Sequence, residues 1–404
     1  MKHDLESGRV AGRSPAGRPL RIALFSGNYD CVRDGANRAL NRLVAYLLDR
    51  AGMAVRIYSP TAPTKAFESV GDIVSVRSAS IPGRPEYRLA LGFTGSARAD
   101  LEAFAPDIVH LSAPDILGRQ AQKYARAAGI PVVASLHTRF ETYPEYYHLG
   151  FLRRPMEAYL RRFYGDADHI LLPTPPILDE FAALYGRDKM SIWSRGVDRT
   201  AFHPSLRSDA FRARLGYAPG DVVPLFFGRL VLEKGLGVFA DAIEALRARG
   251  YNVRPMIVGE GPARDWLARR LPNVAFLGHL AGADLGCAVA SADILVNPSV
   301  TEAFGNVNLE AMASGIGVVS ADVPSASSLI VHGGTGLLVP PHDAAAYADA
   351  IARLIDEPAQ LAVLRRAAAA AADRYCWDDI LAGVAALYGR LAGTATVAAL
   401  ARVA

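Results

Sequence analysis

Short apolar runs alternate along this chain with longer stretches whose apolar residues recur every three and four positions. The first run, Arg21–Ser26, reads as a strand, and a polar loop follows through Gly27, Asn28, Asp30 and Asp34. A helix is then predicted through Leu40, Leu43, Val44 and Leu47, which share one face at helical spacing. Further strands are predicted at Ala54–Tyr58, Asp107–Leu111, Val132–Leu136 and His169–Leu172. The pattern restarts near Val222. Strands are predicted there at Val223–Phe227, Arg254–Val258, Val274–Leu277, Ile294–Asn297 and Gly317–Ser320, with a short last one at Gly336–Val339. Apolar strands separated by helices predict parallel sheets covered on both faces. The expectation is therefore an α/β chain with two doubly wound Rossmann-like domains facing a deep cleft, since ligands of such sheets bind beyond the carboxyl ends of the strands.

The chain length of 404 residues agrees with two cores rather than one. The boundaries expected are a disordered tail at 1–19, a first domain at 20–198, a second at 199–375, a helix at 376–395 packing back on the first domain, and a tail at 396–404. The connector Trp193–Asp198, followed by Phe202-His203-Pro204, has the Gly and Pro of a defined hinge.

Composition adds exclusions. A 51% hydrophobic and 21% charged chain is that of a well-packed globular protein. The apolar runs are strand-sized, short of the roughly 20 residues of a membrane span, and the polar amino-terminal residues lack the apolar core of a signal peptide. Cys31, Cys287 and Cys376 are odd in number and widely spaced, which suits a reducing cytoplasm and no metal site. The net charge of +4 is mild, with its positive excess in the first half. No nucleic-acid partner is expected, whereas an anionic membrane surface or acceptor is compatible with that half.

The candidate chemistry lies in loops after strands. After Ile294–Asn297 the chain reads Thr301-Glu302-Ala303-Phe304-Gly305-Asn306, with Glu310 eight positions beyond Glu302. A strand, a short loop and a helix opening at Gly305 leave backbone N–H groups for an anion. One carboxylate there suits sugar hydroxyls and the other a ribose, so the pair points to a sugar nucleotide. Upstream, Gly228–Gly235 carries Arg229 and Lys234, two cations suited to a diphosphate leaving group. The other reading is an ordinary solvated loop. Gly259 ends another strand, where a glycine lets a ligand approach the backbone, or simply turns the chain. In the first half, His137 leaves the strand Val132–Leu136, and Gly35 opens the first helix, whose amides suit the same diphosphate. Asp166-Ala167-Asp168 has metal-binding spacing but sits at a helix–strand junction and reads as structural.

Phe151–Tyr164 is the segment most informative about the acceptor. Pro155 can open a helix that places Met156, Tyr159, Leu160 and Phe163 on one face, with Arg153, Arg154, Arg161 and Arg162 elsewhere. It reads either as an interfacial helix on anionic lipid or as a core-facing helix with a solvated basic face. Tyr143, Tyr146 and Tyr147, just before it, suit an acceptor site or packing.

Taken together, the Arg229/Glu233-Lys234-Gly235 segment, the Glu302–Glu310 pair with Phe304-Gly305, the Gly196-Val197-Asp198 hinge with Phe202 and Pro204, and His137 resemble family 4 of the glycosyltransferases. The resemblance runs from about residue 20 to 395. Ser135–Tyr147 and Ile192–Pro204 look most like sulfoquinovosyl diacylglycerol synthases and related bacterial mannosyl- and lipid glycosyltransferases. It implies the two-domain GT-B fold, with an acceptor-side first domain and a donor-side second one, and a retaining, metal-independent transfer without cofactor, the nucleotide sugar being the donor substrate. It also implies roles: Arg229 and Lys234 on the donor diphosphate, Glu302 and the amides of Phe304, Gly305 and Asn306 on the sugar, Glu310 on the ribose, His137 near the anomeric carbon. The chain departs from the family where Gly27 and Gly35 stand apart instead of as a pair, and where Ala321–Ala326 replaces a Gly-Gly-x-Pro-Glu turn.

The expected activity is transfer of a hexose or hexuronic acid from a nucleotide diphosphate, UDP being favoured, to a lipid or lipid-linked acceptor. The alternatives are a GDP-mannose-dependent mannosyltransferase and a non-catalytic sugar-nucleotide-binding protein.

Overall fold

A computed structural model describes residues 17–32, 35–62, 65–81, 84–93, 95–137, 151 and 153–403. Contacts divide the chain into two units: the first runs to Ser194 and takes in the residues from Asp378 onward, and the second is Arg195–Trp377.

The first unit holds a seven-stranded sheet in the order β3-β2-β1-β6-β7-β8-β9. Its strands are β1 Arg21–Phe25, β2 Ala54–Ser59, β3 Asp72–Ser75, β6 Ile108–Leu111, β7 Val132–Ser135, β8 His169–Leu172 and β9 Met190–Ile192. All pair in parallel. Parallel strands need crossovers, and helices such as Gly35–Asp49 and Ile116–Ala127 supply them. Helix Gly35–Asp49 buries Leu40, Leu43, Val44 and Leu47, the face that the spacing predicts. Helix Ile116–Ala127 starts where the Asp115 carboxylate accepts the Gly118 amide at 2.7 Å. An antiparallel hairpin, β4 Ser78–Ile81 with β5 Arg84–Ala90, stands apart from the sheet.

The second unit holds a six-stranded sheet in the order β12-β11-β10-β13-β14-β15. These strands are β10 Pro224–Phe227, β11 Met256–Val258, β12 Ala275–Phe276, β13 Ile294–Asn297, β14 Gly317–Ala321 and β15 Leu337–Val339. Again all pairs are parallel. The central β13 is buried along its length, and Pro298, which has no amide to donate, ends it. At the amino end of β13, Asp293 accepts from Arg207 (3.0 Å), Arg212 (3.0 Å) and Arg365 (3.2 Å), and from the Val223 amide at 2.9 Å. This ties the connector to both central strands.

Several sequence expectations are corrected. The strands β3 and β9 and the hairpin were not expected, because their short, mostly half-exposed runs lack a continuous apolar signal. The last helix spans Trp377–Val403 instead of ending at 395, since its Ala-rich continuation contains no Pro and good helix formers dominate it. Arg18, assigned to the tail, pairs with both carboxylate oxygens of Asp107 at 2.8 Å; residues 1–16 lie outside the described residues. The second unit starts at Arg195, a few residues before the expected boundary. The connector is pinned there by Val197 N–H to Tyr375 O (3.0 Å) and by Gly196, where a Cβ would lie 2.6 Å from the Trp377 ring.

Candidate active site

In the second unit the sheet order reverses between β10 and β13, so the carboxyl ends of these two strands diverge and leave a crevice. The loop after β10 carries Gly228, Arg229 and a short 3-10 turn, Leu232–Lys234. The loop after β13 carries Ser299 and Glu302 and leads into helix Asn306–Ala313. The two loops meet directly. Lys234 Nζ donates to Glu302 Oε1 at 2.5 Å, and Ser299 Oγ donates to the same oxygen at 3.3 Å. Gly235, with φ at 76°, makes this approach feasible, because a Cβ there would lie 2.8 Å from Pro298 O. A small recess between the loops is lined by Gly228, Lys234, Asn297, Glu302 and Val307.

Beneath the Glu302 loop lies a polar network. Asn297 Nδ2 donates to Asn308 Oδ1 at 2.9 Å, and Asn308 Nδ2 donates to Ser320 Oγ at 3.2 Å. Asn297 Oδ1 accepts the Ser299 amide at 3.2 Å, and its carbonyl accepts the Tyr347 hydroxyl at 3.0 Å. All five residues are buried. Buried polar groups that satisfy one another hold a loop in one geometry. Neither Asn297 nor Asn308 stands out in the sequence as a candidate. The one signal for them is two amides placed where the apolar pattern demands core.

The sequence candidates in this unit fall as follows. Arg229 is exposed, and among the described residues its guanidinium has no hydrogen-bond or ion-pair partner. Gly305 is the cap residue of helix Asn306–Ala313, whose first internal bonds run from Asn308 N and Leu309 N to Gly305 O. The amides of Phe304, Gly305 and Asn306 precede those bonds and are open to an anion. The Phe304 side chain is buried and packs edge-on against Tyr375, with centroids 6.0 Å apart. Glu310 lies in the second turn of the same helix and is half-buried. Gly259 also has a packing basis. A Cβ there would sit 1.9 Å from Gly228 O, so the glycine lets the ends of β10 and β11 touch each other.

In the first unit, Gly35 is the first residue of its helix. His137 follows β7 and is half-buried. Its Nε2 lies 2.9 Å from Ser135 Oγ, and its ring meets Trp193 edge-on at 5.1 Å. A candidate that the sequence reading passed over is Asp115, next to Gly27, whose Cβ would lie 2.7 Å from its Oδ2. Burial pushes the Asp115 carboxyl up to about 6, against the lowering effect of amide bonds from Gly118 and its neighbours. Tyr143, Tyr146 and Tyr147 lie outside the described residues.

The basic segment forms helix Arg153–Gly165. Leu160 and Phe163 belong to the first unit's core, and Met156 and Tyr159 pack against it. The Tyr159 hydroxyl donates to Pro114 O at 2.9 Å. This corrects the interfacial-helix reading: the apolar face is consumed by the core and is not available for insertion into lipid. Arg153, Arg154, Arg161 and Arg162 remain exposed, Arg153 paired with Glu157 at 2.8 Å. Asp166 accepts from Arg119 (2.8 Å) and pairs with Arg126, and Asp168 accepts the Val132 amide at 2.7 Å, so both carboxylates serve the fold. No helix among the described residues is long and apolar enough to cross a membrane.

The model for glycosyltransferase family 4 matches residues 33–201, and that for group 1 glycosyl transferases matches residues 221–357. A GDP-mannose-dependent alpha-mannosyltransferase of Mycobacterium tuberculosis is 30% identical over 92% of this chain and 98% of its own. The chain belongs to glycosyltransferase family 4. This family 4 enzyme is also 28% identical to the sulfoquinovosyl transferase SQD2 of Arabidopsis thaliana, over 89% of this chain and 71% of that one. Among solved structures it shares its fold with sucrose-phosphate synthase from Thermosynechococcus elongatus (TM-score 0.72, 20% identity, 92% of this chain and 99% of the other). A second is Anabaena HepE in complex with UDP and glucose (TM-score 0.70, 22% identity, 91% and 98%). The GT-B expectation is met, and the reading as a non-catalytic binding protein gives way to a transferase.

Proposed function

We propose that this glycosyltransferase is a retaining enzyme that moves a hexose or hexuronic acid from a nucleoside diphosphate to a lipid or lipid-linked acceptor. The observation that carries the reading is the Lys234–Glu302 contact at the switch point of the second sheet, beside an exposed Arg229 and the open amides of Phe304–Asn306.

A departing nucleoside diphosphate develops negative charge on its phosphate oxygens as the bond to the anomeric carbon breaks. Arg229 and Lys234 meet that charge, and their attraction grows as the charge does, which is what lowers a barrier. Glu302 accepts from sugar hydroxyls, and Glu310 from the ribose. No Asp or Glu adjacent to His137 in sequence is an evident nucleophile, Glu141 being the nearest. The transfer takes the front-face route that the family resemblance implies. The bond to the diphosphate breaks with its electron pair going to the phosphate oxygen. The acceptor oxygen bonds the anomeric carbon from the same face, and its proton passes to the departing phosphate. In the first unit, His137 takes the role near the anomeric carbon that the family resemblance implies, and Arg153, Arg154, Arg161 and Arg162 offer a solvated basic face to an anionic membrane surface.

GDP-mannose is the second donor reading. It is favoured by the similarity to mannosyltransferases, one of them matched along 98% of its length. A thermal-shift screen over UDP, GDP, ADP and their sugar conjugates separates the two. A donor at 100 times its dissociation constant stabilises by about 2.7 kcal/mol. A UDP conjugate is expected to stabilise most and to transfer labelled sugar to a lipid extract. A clear preference for GDP-mannose selects the second reading. No shift and no transfer with any conjugate overturns both.

A further inference from the structure

One face of the first unit's sheet carries polar side chains where a buried parallel sheet ordinarily carries aliphatic ones. His110 on β6 is in register with Val133 on β7, and Val133 with His169 on β8. Side chains two apart on a strand share a face, so Ser135 lies on the same side as Val133. His110 and Ser135 are fully buried, and so is Tyr388 of the last helix, Trp377–Val403. Tyr388 Oη meets His110 Nδ1 in a short hydrogen bond. His110 Nε2 lies 2.8 Å from Ser135 Oγ, and Ser135 Oγ lies 2.9 Å from His137 Nε2. Trp193 closes the chain of contacts from the side, edge-on to both His110 (5.7 Å) and His137 (5.1 Å).

The direction of these bonds follows from counting protons. The Tyr388 hydroxyl has no acceptor other than His110 among the described residues. If it accepted from His110, its own proton would be a buried donor with no partner, an expensive arrangement. So Tyr388 donates to Nδ1. His110 sits among neutral partners and is itself neutral, so its one ring proton is on Nε2, which donates to Ser135 Oγ. Ser135 has one proton and two acceptors in reach, His137 Nε2 at 2.9 Å and Leu111 O at 3.4 Å. The longer contact exceeds the normal hydroxyl range of about 2.5–3.0 Å, so the proton goes to His137. His137 then accepts at Nε2 and, when neutral, carries its proton on Nδ1.

We propose that Tyr388, His110 and Ser135 are positioning residues that lock the tautomer and ring orientation of His137, so that the last helix helps to set the geometry of that histidine. A histidine's useful nitrogen is chosen by the bond its other nitrogen makes. Here that choice is relayed over three buried neutral groups from a helix that joins this unit only after the second unit is complete. The functional consequence rests on the assignment of His137 proposed above, whereas the tautomer does not.

The test is ring-nitrogen NMR on full-length, ligand-free protein labelled at histidine nitrogen, with the His137→Asn variant to assign the resonance. Wild type is expected to show a protonated-type Nδ1 and an unprotonated-type Nε2 at His137, and the reverse at His110. Ser135→Ala should release His137 into a tautomer mixture, while Ser135→Thr, which keeps the hydroxyl, should retain the wild-type pattern. Tyr388→Phe removes one oxygen without changing the packing, so it tests the relay even if Ser135→Ala fails to fold. It should mix the tautomers of both His110 and His137. A proton on Nε2 of His137 in wild type, or a His137 pattern unmoved by both variants, overturns the proposal. Transfer from UDP-glucose and GDP-mannose is measured on the same samples. Tyr388→Phe is expected to lower kcat by at least about tenfold with little change in donor KM. Tautomer release without loss of transfer would leave the relay standing and remove the role assigned to His137.

Discussion

The crevice of the second unit and the polar seam of the first solve the same problem, holding a polar side chain still, by opposite means. In the crevice the side chains are charged and only partly buried. Lys234 and Glu302 neutralise each other at 2.5 Å, and Arg229 stands in solvent. In the seam the groups are neutral and fully buried, and one hydroxyl or ring passes its orientation to the next. Charge is tolerated in a crevice that water reaches, because water screens it. Deep in a sheet an ion would be costly, so orientation is carried by neutral hydrogen bonds.

The largest expected effect that sharpens this contrast is on stability against pH, and it comes from the seam. Burial lowers the His110 pKa to about 3, and burial with the nearby Arg390 lowers that of His169 to about 4. An unfolded histidine titrates near 6.5. Below that pH the unfolded chain binds protons that the folded chain refuses, so stability is complete above about pH 6.5 and falls as pH drops towards the folded values. The slope approaches about 1.4 kcal/mol per pH unit for each histidine that stays neutral in the fold. Urea melts from pH 7 to pH 4 measure it, and His110→Gln should flatten the dependence. A stability that is constant from pH 7 to 4 would break the description of the seam as neutral.

Next in size is the loss of transfer in Lys234→Ala. Removing one group that meets developing charge costs about 2.7–4 kcal/mol, or roughly 100- to 1,000-fold in kcat. Its melting temperature should change little, because the pair that it breaks is partly exposed. A variant that melts much lower while retaining activity would make Lys234 structural and the contrast false. Tyr388→Phe follows. It leaves the buried His110 Nδ1 without a donor and should destabilise by about 1–3 kcal/mol, read from chemical denaturation. The smallest effect belongs to the basic helix. Breaking the exposed Arg153–Glu157 pair with Arg153→Gln should cost about 0.3–0.5 kcal/mol. Replacing Arg153, Arg154, Arg161 and Arg162 together should weaken sedimentation with anionic vesicles at low salt while leaving the fold intact. Equal sedimentation of both proteins would remove the membrane role from this face.

Much of the second unit was legible in the residue pattern, because its strands are buried runs such as Ile294–Asn297 and its candidate groups follow strand ends. Lys234 and Glu302 could be selected individually, though nothing in their 68-residue separation announces that they touch. The first unit was less legible. β3 and β9 are short, and the seam is distributed over β6, β7 and the last helix. His110 and Ser135 each look like one polar residue inside an apolar run.

The chain's own sequence determined the alternation of strands and helices, the two sheets, the loops that carry Arg229, Lys234, Glu302 and His137, and the family. Local periodicity and residue chemistry suffice for these, since each is written within a few neighbouring positions. Only the tertiary structure decided that Met156, Tyr159, Leu160 and Phe163 face core instead of lipid, that Gly259 serves Gly228, and that Tyr388 reaches His110 across 278 positions. Each of these depends on strand register and on which face a returning helix covers. These are properties of the packed chain, and no window of sequence contains them.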